Sequence, residues 1–244
     1  MSKRRSKLKI ILIALLIAVV IGGIGVLAAL FLMDKSETGA AASVTEEMRD
    51  AIVLPDVDNP EPPDFSELQR MNADIVAWLT LDGTDVNHPI VQSSDNEYYL
   101  TRSAKKTKSM YGALFLDYRL HKDFSDPNNI IYGHNMRDDA MFGALMPFKD
   151  KAFFDSHKTG WLYTPEKNYR LNIFAVSVGH DYSNAYTWVF QTENVFDAFI
   201  EQINLDALFQ REEPIAWGNQ VLTMSTCSYE FENARTVVYA VMKP

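Results

Sequence analysis

The sequence has little cysteine, glycine or proline and, over most of its length, little positive charge. One Cys in 244 residues cannot close an internal disulfide, so no disulfide framework holds this chain together. Eleven Gly and ten Pro are too few for a collagen-like or low-complexity chain, and 47% hydrophobic residues are too many for a disordered one. Of the 23 Lys and Arg, five lie in residues 1–33, where Asp and Glu are absent; residues 34–244 hold 18 basic against 32 acidic residues, a net charge of −14. That balance argues against a nucleic-acid groove, which needs a basic surface.

What is present starts with a hydrophobic run. Residues 10–33 are 24 consecutive uncharged, mostly apolar residues. As a helix rising about 1.5 Å per residue they reach about 36 Å, enough for a hydrocarbon core of about 30 Å, so a transmembrane helix is expected. Lys3, Arg4, Arg5, Lys7 and Lys9 precede it, and the mixed charges Asp34, Lys35 and Glu37 follow. The positive-inside bias puts the N-terminus in the cytoplasm and everything after residue 33 outside. The alternative is a cleaved signal peptide processed near the small residues 39–42, although its apolar core would ordinarily span about 7–15 residues. The organisation expected is a basic cytoplasmic tail over 1–9, the anchor over 10–33, a small polar linker with room for a short helix over 34–60, and one folded domain over 61–244.

Within that domain the periodicity changes once. Asp64 precedes Phe65, Leu68 and Met71, with Glu67 three positions on, a capping-box pattern that predicts a helix over 64–72. After it, WLTL, VNHPIVQ, ALFLDYR, NNIIYGH, GWLYT, YRLNIFAVSVG, NQVLTMST and ARTVVYAVM read as short strands separated by turn residues. About eight such strands predict a mainly β closed barrel or sandwich. Two stretches read as helical: 141–148, and 194–210, where Val195, Phe196, Phe199, Ile200, Ile203 and Leu208 follow a period near 3.6.

Cys227 ends the β-prone run Val221-Leu222-Thr223-Met224, an address at which a strand holds a nucleophile at a rim. A lone Cys is ordinarily a small buried hydrophobe, but in an exported domain an unpaired thiol has no bridge to explain it. A working thiol needs a neighbouring base or positive charge, because its unperturbed pKa of about 8.5 leaves it protonated at neutral pH. His134 and His180 both stand at strand ends, and spacing alone does not choose between them. Arg235 opens a strand eight residues after Cys227, so a hairpin over 228–234 returns it beside the thiol, where its guanidinium favours a thiolate and donates to an oxyanion. The competing reading of Arg235 is a salt bridge to Glu230 or Glu232.

Thr223-Met224-Ser225-Thr226-Cys227 resembles the TLxTC signature of sortases, with Met224 in place of the usual Leu, a volume-conserving change. Arg235 stands where that family has its arginine, and Tyr132-Gly133-His134 where it has its histidine. The stretches NADIVAWL from Asn72, HPIVQ from His88, DNEYYL from Asp95 and Phe115-Leu116-Asp117 are similar to class B members in particular. The resemblance covers nearly all of residues 60–244. It implies a closed eight-stranded barrel with N-terminal helices, one inserted helix at 194–210 and the transmembrane helix in front.

The activity it implies is that of a cysteine transpeptidase that cleaves a C-terminal sorting signal in secreted proteins and transfers the acyl group to a peptidoglycan amine. Cys227 is then the nucleophile, His134 the general acid and base, and Arg235 the oxyanion donor. Ser225 and Thr226 alternate along their strand, so one lines the peptide groove and the other faces inward, with Ser225 the candidate for the groove. Tyr186 and Trp188 are candidates for an apolar wall, or else core. No cofactor and no metal site are implied, since no loop has metal-binding spacing. Two other readings stay open: an extracytoplasmic cysteine protease that hydrolyses its acyl-enzyme, and a non-catalytic binding module displayed at the surface.

Overall fold

A computed structural model describes residues 2–55, 61–136, 138–181 and 183–244. The chain forms two compact units, residues 1–42 and 43–244. The first helix, α1 (Ser2–Asp50), runs from the first unit into the second. The stretch 34–50, expected as linker and short helix, is thus continuous helix, as its Ala, Glu and Met content and freedom from proline before Pro55 favour. The expected span 10–33 lies in α1, but the side chains of 10–18 and of Met33 fall outside the described residues. Among the described residues no helix is long and apolar enough to cross a membrane.

In the second unit, α2 (Ser66–Met71) precedes β1 (Ile75–Leu81), β2 (Asn87–Val91), β3 (Leu114–Leu116) and β4 (Asn128–Tyr132). Then come α3 (Lys151–Ser156), β5 (Thr159–Tyr163), β6 (Asn168–His180), α4 (Glu193–Asp206), β7 (Ala207–Gln210), β8 (Gln220–Cys227) and β9 (Ala234–Lys243). The strand order is β5-β1-β2-β3-β4-β8-β9-β6-β7, and β5 also pairs with β6. Eight strands therefore close a ring, the expected barrel, and β7 is a ninth strand added on the outer edge of β6. Closure is possible because β6 is 13 residues long: its first half pairs with β5 and its second with β7, while its other edge carries β9 throughout.

Strand alternation fills the barrel with residues such as Ile90, Leu116, Ile131, Leu222, Met224 and Val238, each at most 1% exposed. At about 25 cal/mol per Å² such burial is the main term holding the ring closed. Two satellite clusters flank it. Met48 and Ile52, at and just beyond the end of α1, pack with Phe65 and Leu68 of the α2 region against Trp78 and Tyr99. Because this contact begins before residue 61, the compact unit starts earlier than the sequence boundary. On another side α4 lays Phe196, Phe199 and Ile203 against Phe174 and Tyr239, the i, i+3, i+7 stripe of an amphipathic helix.

Two elements differ from expectation in detail. The predicted helix 194–210 ends at Asp206, and Ala207–Gln210 is β7, because Val176 and Ser177 of β6 offer an unpaired edge to Phe209 and Ala207. The segment near 141–148 is a 3₁₀ helix, Phe142–Lys149, in which Pro147 cannot donate an α-helical hydrogen bond. At α2 the N-cap is Phe65, which has no capping side chain; Asp64, one residue earlier, accepts from the Ser66 amide at 2.8 Å and Glu67 pairs with Arg70, so the expected capping box does not form.

Candidate active site

Three adjacent strand ends meet at one rim. β8 and β9 are antiparallel in unbroken register, and that register sets Cys227 directly opposite Arg235. Their connection is closed by hydrogen bonds from the Ser228 amide to the Ala234 carbonyl at 2.9 Å and from the Ala234 amide to Phe231 at 3.2 Å. β4 runs parallel to β8 on its other side, and the pairing continues past Tyr132, where the Gly133 amide donates to the Ser225 carbonyl at 3.2 Å. Asn135 then donates its side-chain amide to the Cys227 carbonyl at 2.9 Å. His134 lies between these two ties, so its backbone is fastened to the Cys227 strand on both sides. Gly133 is required at that approach: a Cβ there would sit 2.3 Å from Leu114 and 2.9 Å from Phe142.

The His134 ring has a defined partner. Its Nε2 lies 2.6 Å from the Leu100 carbonyl oxygen, and its Cδ2 lies over Gly112. A carbonyl only accepts, so Nε2 carries a hydrogen and Nδ1 is the nitrogen left for proton transfer. His180, the other strand-end candidate, ends β6, which is separated from β8 by β9; its ring packs on Phe231 at 4.5 Å. Strand order therefore puts His134, not His180, next to the thiol strand.

Arg235 is partly buried. Its Nη1 donates to the Ala234 carbonyl at 3.1 Å and its Nη2 lies 3.9 Å from the Asp181 carboxylate. Of the two competing partners read from sequence, Glu230 or Glu232, Glu230 pairs instead with Lys149. A guanidinium has five N–H donors, so Arg235 retains donors beyond these two contacts. Cys227 is free and partly exposed.

Ser225 shares the Cys227 face of β8, and its Oγ is 2.8 Å from the Tyr186 hydroxyl. Burial pushes the Tyr186 phenol up, while its hydrogen bond to Ser225 and the charge of Arg235 pull it back; it also feels Cys227. Tyr186 therefore stands within electrostatic reach of Arg235 and Cys227. Thr226 points the other way. Its hydroxyl donates to the Gly133 carbonyl at 2.8 Å and the residue is 2% exposed, so it locks β8 to the β4 end and does not share the Cys227 face. Trp188 is exposed and lies over the Arg119 guanidinium, 5.1 Å from Cζ to ring centre.

Sequence reasoning passed over four participants. Asn135 ties down the Cys227 carbonyl, the Leu100 carbonyl orients His134, and Tyr132 stacks on Tyr186 at 6.1 Å. Asp117 holds the Tyr132 hydroxyl at 3.1 Å. Asn135, Tyr132 and Asp117 lie in or beside the recognised motifs, which was the only available signal.

A closed β-barrel with a thiol, an imidazole and a guanidinium on three neighbouring strand ends defines a class of cysteine acyl-transfer enzyme. Residues 79–243 match the Sortase domain family model, and the chain belongs to the sortase family as a cysteine transpeptidase of the sortase B type. It is 31% identical over 215 residues to Sortase B of Listeria monocytogenes, covering 86% of this chain and 79% of that protein. Its fold is similar to the crystal structure of sortase B from Bacillus anthracis in complex with AAEK1, with a TM-score of 0.77, 31% identity and coverage of 85% and 98%. It is also similar to the Staphylococcus aureus sortase B–substrate complex, with a TM-score of 0.69, 26% identity and coverage of 73% and 83%.

Proposed function

We propose that this chain is a membrane-anchored sortase that cuts a C-terminal sorting signal in secreted proteins and joins them to a peptidoglycan amine. The observation that carries the reading is the Cys227–Arg235 register pair, with His134 delivered on the neighbouring strand end.

Cys227 gives its thiol proton to His134 Nδ1, and the resulting thiolate attacks the carbonyl carbon of the signal's Thr. Arg235 donates to the oxyanion, a group whose charge develops only as the tetrahedral intermediate forms. His134, held at Nε2 by Leu100, gives its Nδ1 proton to the leaving amine as the C–N bond breaks, leaving a thioester on Cys227. The incoming amine attacks that thioester, loses its proton to the same nitrogen, and releases the thiolate. Ser225, Tyr186, Tyr132 and Trp188 form the donor-peptide side.

The anchor is residues 10–33, with residues 1–9 in the cytoplasm and the barrel outside. Support comes from the 24-residue uncharged run and its five preceding basic residues. Within it, Val19, Ile21, Leu27, Phe31 and Leu32 are each 64–72% exposed, an apolar surface that a bilayer covers.

The test incubates the full chain in detergent micelles with a library of quenched peptides carrying Thr before the scissile bond. Primary-amine acceptors, oligoglycine and a stem peptide with a free side-chain amine, are added or withheld. A ligated product by mass, lost in Cys227→Ala, is expected. Hydrolysis alone with every acceptor identifies a protease, and no cleavage with slow alkylation of Cys227 identifies a binding module. Carbonate-resistant pelleting with membranes tests the anchor.

A further inference from the structure

Asp117 follows β3 with its side chain fully shielded from solvent. Five donors converge on its two oxygens. The Arg119 amide at 3.0 Å and Nε at 2.8 Å reach Oδ1; Arg119 Nη2 at 2.7 Å, Asn96 Nδ2 at 3.0 Å and Tyr132 Oη at 3.1 Å reach Oδ2. The surrounding turn is itself fixed. Gln92 donates to the Asp117 and Leu120 carbonyls at 2.9 and 2.8 Å, and the Tyr118 amide donates to Asn96 Oδ1 at 3.0 Å. A carboxylate buried this deeply is costly unless paired, and here every donor but Asn96 and Tyr132 belongs to one guanidinium residue.

The network runs towards Cys227 along two routes. Tyr132 stacks on Tyr186, their planes 14° apart, and the Tyr186 hydroxyl bonds Ser225, two residues before the thiol. Arg119, gripped by Asp117, carries Trp188 on its other face. Two distant parts of the chain, the end of β4 and the 184–188 segment, are thus linked through one carboxylate that itself has no solvent access; the segment's backbone is held separately by Asn128, which donates to the Ala185 and Thr187 carbonyls at 3.0 and 2.8 Å.

We propose that Asp117 is a positioning residue for the donor-peptide face: acting through Tyr132 and Arg119, it sets the affinity for the peptide and not the acyl-transfer chemistry at Cys227. The inference rests on the reading of Tyr132, Tyr186, Trp188 and Ser225 as the peptide side. An amide in its place keeps the shape but offers one acceptor oxygen and turns an NH2 towards donors, so either the Arg119 fork or the Tyr132 and Asn96 bonds are lost.

The test uses the full chain in micelles and the peptide that the wild-type protein turns over best. Wild-type turnover and its loss in Cys227→Ala judge the functional reading; the comparison of variants with wild type judges Asp117. Asp117→Asn is expected to raise KM about tenfold with kcat within threefold of wild type. Tyr132→Phe, which removes one Asp117 bond without touching the carboxylate, is expected to raise KM as well. The double variant is expected to match the more severe single one, because both act through one link. An unchanged KM in Asp117→Asn, a fall in kcat at constant KM, or single effects that multiply in the double variant would overturn the proposal. Where Asp117→Asn does not fold, an unchanged KM in Tyr132→Phe overturns it alone.

Discussion

The imidazole of His134 is held at Nε2 by the Leu100 carbonyl oxygen, 2.6 Å away, in a chain where the two residues lie 34 positions apart. The usual orienting partner of a catalytic histidine is a carboxylate or amide side chain, which also stabilises the imidazolium; a carbonyl fixes the tautomer with a dipole in place of a full charge. The neutral ring is therefore the Nε2–H tautomer. Imidazole ¹⁵N shifts of His134 at pH 8 are expected to show a protonated Nε2 and an unprotonated Nδ1. The opposite pattern would remove Nδ1 from the proton-transfer role.

Gly112 lies beneath that ring with φ +61°, and a Cβ on it would be 2.6 Å from the Tyr99 carbonyl oxygen and 3.0 Å from His134 Cδ2. Left-handed backbone costs an L-residue roughly 1–2 kcal/mol, and the nearer atom is backbone that cannot move aside. Gly112→Ala is expected to lower unfolding free energy by about 2 kcal/mol or more in urea. It is also expected to lower kcat for peptide cleavage, since the imidazole must shift. Full activity in a destabilised variant would show that the contact is structural only.

How far the sequence reaches can be seen at particular residues. Cys227 and Arg235 could be placed together because a hairpin is a local object: a strand, a short connection and a return. The inward stripe of α4 was visible for the same reason, since Phe196, Phe199 and Ile203 share one face by helical geometry alone. β7 was not visible. Leu208 extends the helical period, and what makes 207–210 a strand is the free edge of β6, more than 25 residues upstream. The choice between His134 and His180 depended on strand order, which no spacing encodes. Leu100 ends the DNEYYL stretch, but its role was out of reach, because it acts through a backbone carbonyl that every residue has.

Glu230, in the connection between Cys227 and Arg235, is ion-paired with Lys149. Burial alone would raise its carboxyl, but the Lys149 ammonium and the neighbouring Ser228 side chain outweigh that and bring it down to about 2 from an ordinary 4.5. A folded-state value below the unfolded one stabilises above pH 4.5 and is lost as pH falls towards 2. Both partners are partly solvated, which limits the contribution to about 1 kcal/mol. Glu230→Gln is expected to be less stable than wild type by that amount at pH 6, with the gap closing by pH 2.5 in urea titrations. A gap independent of pH would mean that charge plays no part in holding the connection.

His88 couples β2 to the end of α1 with the opposite charge logic. Its Nδ1 lies 3.4 Å from the Thr45 hydroxyl, and burial followed by the positive charge of Arg49 lowers its pKa from 6.5 to about 4. The folded state therefore resists protonation. Its stability relative to the unfolded chain is complete above pH 6.5, falls as pH drops from 6.5 to 4, and is constant below that. At about 1.4 kcal/mol per unit the full shift corresponds to about 3.5 kcal/mol, and the partial exposure of His88 reduces the expected loss to about 2 kcal/mol. His88→Gln keeps a polar side chain that does not titrate. The stability difference between wild type and His88→Gln, measured by urea unfolding at pH 7, 5.5 and 4.2, is expected to shift against wild type by about 2 kcal/mol across that window. Amide exchange over residues 44–52 is expected to quicken with it in the wild type alone. A difference that stays flat from pH 7 to 4.2 would show that His88 is not buried as a neutral base beneath α1.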